Sequence, residues 1–159
     1  MALTDTADGL DYSCVAHPTQ VAGIRRAVSE LARRCGACQA TLTRIELAVT
    51  EAATNVVLHA YRDPGATGRI HVVTRCADGL LGISIRDDGV GMSPNPDSPG
   101  LGLGLSLIAH EADRCEVRAA SGGGTEVLMS FGVAASAHDR QRLRACDGQA
   151  ATAGVSAGP

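Results

Sequence analysis

A carboxylate and a carboxamide stand four residues apart in Thr50-Glu51-Ala52-Ala53-Thr54-Asn55. On a helix that spacing brings both to one stripe, where they can serve a single ligand or metal ion. A solvated helix face can carry the same pair, so its meaning depends on the rest of the chain. Downstream, Asp87-Asp88-Gly89-Val90-Gly91-Met92 sets glycines at alternate positions after an acid. Such a stretch turns sharply and can bring a planar ligand against the main chain, leaving the Asp87 carboxylate to accept from an exocyclic amine. An ordinary Asp-Gly turn is the alternative. Gly100-Leu101-Gly102-Leu103-Gly104 then opens an apolar run to Ile108. Free backbone N–H groups at a helix start face phosphate well, because the positive end of the helix dipole lies there. Close packing of a helix on a sheet explains alternating glycines equally well.

The surrounding elements must position these groups. Leu42, Ile45, Val49, Ala52 or Ala53 and Val56 recur at three- and four-residue steps, so the run from Leu42 to Tyr61 reads as a helix with one buried face. Asp63-Pro64-Gly65 ends it in a turn. Before it, Asp11 to Ala16 is a candidate strand. Pro18 then opens a helix whose buried face is Val21, Ile24, Val28 and Leu31, with Gly36 as its stop signal. Arg69 to Cys76 and Leu80 to Asp87 alternate as strands around Ala77-Asp78-Gly79, which has hairpin chemistry and predicts antiparallel pairing. Ser93 to Pro99 has no apolar period and reads as a mobile loop that closes over a ligand. After a helix to about Ala112, Cys115 to Ala120 and Glu126 to Phe131 are two further strands joined through Ser121-Gly122-Gly123-Gly124-Thr125. Helices interleaved with antiparallel strands, without a Rossmann βα turn, predict an α/β two-layer sandwich: a mixed, mostly antiparallel sheet covered on one face by helices.

Composition narrows the function. At 159 residues, 45% hydrophobic and 19% charged, the chain suits one domain with a proper core. That domain is expected over residues 11–133, between a flexible N-terminus (1–10) and a flexible, disordered tail (134–159) rich in Ala, Gly and Ser. All 14 basic residues are arginine, which excludes a P-loop lysine, a protein-kinase strand lysine and Schiff-base chemistry. The arginines are scattered along the sequence and the formal net charge is -3, so no footprint for nucleic acid or an anionic membrane is expected. Met1 to Leu10 lacks an export signal and no apolar run reaches membrane-span length, so a cytoplasmic location is expected. In that reducing setting the six cysteines are not read as a disulfide framework. Cys35-Gly-Ala-Cys38 has the spacing of a redox or metal pair, but zinc would need a second pair, and both read as small apolar residues at a helix end.

Taken in order, Glu51-x-x-x-Asn55, Asp87-x-Gly89-x-Gly91, Gly102-x-Gly104 and Gly123-Gly124-Thr125 resemble the four sequence boxes of the GHKL ATPases, the superfamily of gyrase, histidine-kinase and MutL ATP-binding domains. Thr50 to Asn55 and the short segment between Gly91 and Gly100 resemble in particular the bacterial anti-sigma factor serine/threonine kinases. The resemblance covers roughly Cys14 to Val133. It implies a Bergerat-type fold binding ATP and Mg²⁺. By that resemblance Asn55 coordinates the metal and Asp87 reads the adenine amine, with Thr125 in support through a hydroxyl or a bridging water. Gly102 and Gly104 present N–H groups to the phosphates, Gly89, Gly91 and Gly124 complete the nucleotide site, and Glu51 is the general base.

The implied partners are a sigma factor, a STAS-domain anti-anti-sigma protein whose serine is phosphorylated, and a second copy in a homodimer. The helix from Pro18 to Arg34, with Arg25 and Arg26 outward, is the implied partner or dimer surface. One departure stands out: Asp97-Ser98-Pro99 occupies the place where family members often carry a basic residue before the second glycine box. The alternatives are a non-catalytic ATP-binding partner-switch module and a detached histidine-kinase catalytic domain. Glu51 and the short loop argue against the latter.

Overall fold

The computed structural model describes residues 2–6, 9–60, 68–89, 91 and 101–133. The elements run β1 (Ala2–Thr6), β2 (Gly9–Val15), α1 (Pro18–Arg34), α2 (Gln39–His59), β3 (Arg69–Ala77), β4 (Leu80–Asp87), α3 (Leu101–Glu111), β5 (Arg114–Ala119) and β6 (Thr125–Gly132). The six strands form one sheet in the order β1-β2-β3-β4-β6-β5. Every neighbouring pair is antiparallel, so the expected mixed sheet is wholly antiparallel.

Strand alternation gives the sheet two unlike faces. Inner residues of β4 and β6, such as Ile83, Ile85, Val127, Met129 and Phe131, are buried. They meet α2 through Ile45, Val49, Ala52 and Ala53, while α1 and α3 flank α2 on the same side. The β3–β4 hairpin follows from its turn residues: Ala77 pairs with Leu80, leaving Asp78 (φ 52°) and Gly79 (φ 75°) as a two-residue loop with both φ positive. His17 caps α1, accepting from the Thr19 N–H at 3.4 Å, and Pro18 occupies its first turn. At the other end Gly36 (φ 91°) and Ala37 donate back to Arg33 and Ala32, a left-handed stop.

Two further expectations change. The expected flexible N-terminus contains β1, paired along its length to β2, and β2 itself starts at Gly9. Pairing at a sheet edge satisfies backbone groups without needing the apolar alternation that marks an interior strand, so composition gave no signal. The arginines are scattered in sequence but not in space: Arg69, Arg75, Arg86, Arg114 and Arg118 stand at strand positions that alternate with the buried ones, on the face away from the helices. Among the described residues, the five cysteines form no disulfide. No helix among the described residues is long and apolar enough to cross a membrane. The turn at Asp63-Pro64-Gly65, the loop Ser93 to Pro99 and the tail 134–159 lie outside the described residues.

Candidate functional site

The four sequence boxes converge at one end of the sheet. Glu51 and Asn55 sit half-buried on α2, in the expected one-turn relation. The helix that carries the second glycine pair packs against them. A Cβ placed on Gly104 would lie 3.1 Å from Asn55 Nδ2, 3.3 Å from Asn55 Oδ1 and 3.3 Å from Glu51 Oε2. These contacts are a few tenths of an ångström tighter than ordinary ones, so glycine lets the α3 start and the two polar side chains meet with neither side chain displaced. Gly102 lies one half-turn earlier, in the first turn of α3. The N–H groups of Leu101, Gly102 and Leu103 lie in the first turn of that helix and have no intrahelical acceptor.

The acid and the remaining glycines interlock at the end of β4. Asp87 is 3% exposed, and its Oδ1 accepts from the Gly89 N–H at 2.9 Å. Burial pushes its carboxyl above the usual range, and backbone N–H donation from Gly89 and Thr125 pulls it partly back. Gly124 (φ 87°) is pressed against Asp87: a Cβ there would overlap the Asp87 carbonyl oxygen and come within 2.7 Å of its Oδ1. Gly89 is pressed in the same way against Ala60, just past the end of α2. Gly91 (φ 79°) faces Gly124, whose carbonyl oxygen would be 3.4 Å from an added Cβ. Thr125 is buried beside Asp87, but the contact resolved is from its backbone N–H, where the resemblance implied a hydroxyl or a water.

All nine residues singled out from the sequence therefore fall on two adjoining clusters, linked by the final turn of α2. Sequence reasoning missed what holds α2 in place. Arg44 Nη2 donates to Asp113 Oδ1 at 2.7 Å, Gly132 N–H donates to Asp113 Oδ2 at 2.7 Å, and the Arg44 guanidinium lies 5.8 Å from the Phe131 ring centroid. These groups fasten the N-terminal half of α2 to β6 and to the turn after α3, and so position Glu51. The partners are 69 residues apart in sequence, and no local pattern announces them.

The donor set fits a hard cation held largely by its ligand. Asn55 offers one carboxamide oxygen beside the start of α3, and among the described residues no three His, Cys, Asp or Glu side chains converge to form a metal cage. Mg²⁺ is commonly held this way, with few protein oxygens and with phosphate and water completing the octahedron.

The histidine kinase-like ATPase domain family matches residues 14–131. The chain belongs to that family. Among relatives, it is 32% identical to the anti-sigma F factor of Pasteuria penetrans, over 55% of this chain and 66% of that protein. It is 30% identical to the anti-sigma F factor of Geobacillus thermodenitrificans, over 60% of this chain and 72% of that protein. The chain thus spans about two thirds of the length of these curated relatives. Among solved structures, the RsbU and RsbW domains of Rv1364c from Mycobacterium tuberculosis superpose with a TM-score of 0.63 at 20% identity, covering 81% of this chain and 33% of that one. The histidine kinase domain of the blue-light activated kinase from Erythrobacter litoralis EL346 gives 0.51 at 24% identity, covering 72% and 60%. Both likenesses concern the fold. As an ATPase domain the chain is an ATP binder, and its relatives place it with the anti-sigma branch of the family.

Proposed function

We propose that this ATPase domain is an anti-sigma factor kinase: it uses Mg²⁺-ATP to phosphorylate a serine of a STAS-domain anti-anti-sigma protein, and otherwise holds a sigma factor. The observation that carries the reading is the seating of Gly104 against both Glu51 and Asn55, because it brings a base, a metal ligand and a phosphate-facing helix start to one place. In this reading Asp87 accepts from the adenine amino group, in a pocket walled by Gly89, Gly91, Gly124 and Thr125. The N–H groups at the start of α3, with Gly102 and Gly104, receive the phosphates. Asn55 Oδ1 would hold Mg²⁺, and the chemistry a bound Mg²⁺ would supply is neutralisation of phosphate charge. Glu51 takes the proton of the serine hydroxyl as its oxygen bonds to the terminal phosphorus. The bond from that phosphorus to the β,γ-bridging oxygen breaks, and ADP carries the released electron pair.

Relatives named anti-sigma F factor support the partner class. The exposure of Arg25 and Arg26 on α1 supports that helix as the surface for the sigma factor or for a second copy in a homodimer. Charge reversal at both arginines should weaken at least one of these complexes; complexes unchanged in mixing assays would remove α1 from the account. A second reading, in which nucleotide only stabilises a partner-binding shape, is favoured by Asp97-Ser98-Pro99 in place of a basic residue before the second glycine box. Calorimetric titration tests the site itself. Wild type should bind ATP only with Mg²⁺, and Asn55→Ala and Asp87→Ala should each lose binding. Unchanged affinity in both variants would refute the assignment.

A further inference from the structure

Among the described residues the helices cover one face of the sheet only, and the other face is built as a trough. Across it, Arg75 on β3, Gly82 on β4, Ser130 on β6 and Arg114 on β5 stand in one cross-strand row. With strands about 4.8 Å apart, the two arginines are roughly 14 Å from each other, over a floor with almost no side chain. The next row is Val73, Ser84, Leu128 and Glu116, small only at Ser84, and the row His71, Arg86, Glu126 and Arg118 closes that end of the trough with two long side chains. An open depression beside it is lined by Arg114, Glu116, Leu128 and Ser130. An α-helix is about 10–12 Å across with its side chains, which matches the width between the arginine banks.

The charge on this face is one-sided. Arg69, Arg75, Arg86, Arg114 and Arg118 share this face with Asp11, Glu116 and Glu126, and Asp88 lies within electrostatic reach of His71 at its end, in a chain whose formal net charge is -3. Glu126 is already committed: Ser84 Oγ donates to it at 2.6 Å and Arg118 Nε at 2.9 Å. Among the described residues Arg75, Arg86 and Arg114 enter no salt bridge, and Arg75 donates only to the Thr74 carbonyl, at 3.0 Å. Apolar side chains are interspersed: Val73 and Leu128 are half-buried, and Val15 and Leu80 are 47% and 50% exposed. Arginine mixed with apolar contact area is the composition of protein interfaces.

We infer that the bare sheet face is a docking trough for an acidic amphipathic helix presented by a partner protein. Charge complementarity selects this occupant. A second copy would set arginine against arginine, and the chain's own tail carries Arg140, Arg142 and Arg144, the wrong sign for the trough. The inference does not rest on the proposed kinase reaction, because the trough lies across the sheet from the α2 cluster.

A fluorescein-labelled Glu/Leu/Ala helical peptide of about five turns, titrated against the full chain, tests it by anisotropy, with a scrambled Asp/Gly/Ser peptide of equal charge as control. Wild type should bind the helix and not the control, with affinity falling as salt rises. Arg75→Glu with Arg114→Glu should weaken binding by about tenfold or more, whereas Arg75→Lys with Arg114→Lys should keep most of it. Mg²⁺-ATP affinity should be the same in all three proteins. No binding by wild type, equal binding of the control, or indifference to the charge reversal would overturn the inference. It would equally be overturned by a dimer that the Arg75→Glu and Arg114→Glu pair dissolves, which makes the face a self-interface, or by RNA or phosphatidylserine vesicles displacing the peptide.

Discussion

Substituting Gly104 by alanine separates the architecture of the site from the stability of the fold. The added methyl would meet Asn55 Nδ2 at 3.1 Å and Asn55 Oδ1 and Glu51 Oε2 at 3.3 Å, each a few tenths of an ångström inside ordinary contact. Those atoms end flexible, half-buried side chains, so they can yield without moving either helix. Alanine gains up to about 1 kcal/mol over glycine in a helix interior, and the crowding opposes it by about 1–3 kcal/mol. Melting should therefore shift by only a few degrees. The site has less tolerance, because Mg²⁺ demands near-ideal ligand geometry and Asn55 must keep its oxygen in place. Losing one interaction with a charged group amounts to about 1.5–3 kcal/mol, or roughly 10- to 150-fold in affinity. Calorimetry of Mg²⁺-ATP binding beside a thermal melt reads both quantities on one sample. A Gly104→Ala protein that binds Mg²⁺-ATP like wild type would refute the reasoning, and one that fails to fold would show that the glycine serves helix packing.

Other substitutions test separate steps. Asp87→Asn should lower ATP affinity more than tenfold, since the amide would oppose the adenine amino group with a donor. Because burial raises the Asp87 carboxyl above 3.8, its folded state favours the protonated form, and stability falls as pH rises through the folded value. Melts of the Asn variant should lack that fall; a wild-type protein showing none beside it would contradict the burial argument. At the Arg44 clamp the sign is opposite: the Arg44 hydrogen bond holds Asp113 below 3.8, so its contribution is complete above that pH and is lost on acidification through the lower folded value. Asp113→Asn should flatten the acid limb of the melting curve slightly, both partners being more than a third exposed, and an unchanged limb would discount the clamp. Gly23 sits mid-way along exposed α1 with nothing within 4 Å of an added Cβ, so Gly23→Ala should stabilise by about 0.5–1 kcal/mol in urea. A destabilised variant would show a constraint at that position that the isolated chain does not contain.

Much of this was legible because local chemistry and tertiary role coincide. Periodicity placed α1 and α2, and Asp78-Gly79 specified its hairpin through two positive φ values. Glycines were legible as spacing, but their reason was not. Gly89 and Gly124 are required by the approach of Ala60 and Asp87, contacts made only after the chain folds. β1 was missed because an edge strand pairs by backbone alone. The basic face was missed because its arginines are up to 49 residues apart in sequence, and only strand alternation and sheet order bring them together. The Arg44 clamp is a long-range contact of the same kind.

Phosphate transfer by Glu51→Gln tests the central claim most directly. The glutamine keeps the shape that packs beside Gly104 but cannot take the serine proton, and general-base assistance typically contributes about 10²- to 10⁴-fold in rate. With radiolabelled ATP, Mg²⁺ and a STAS-domain acceptor, wild type should label a serine of the acceptor. The variant should be slower by about that factor at nearly unchanged ATP affinity. Equal rates in the two proteins would contradict the role given to Glu51, and no transfer by wild type, with sigma factor binding intact, would leave ATP as a stabiliser of shape.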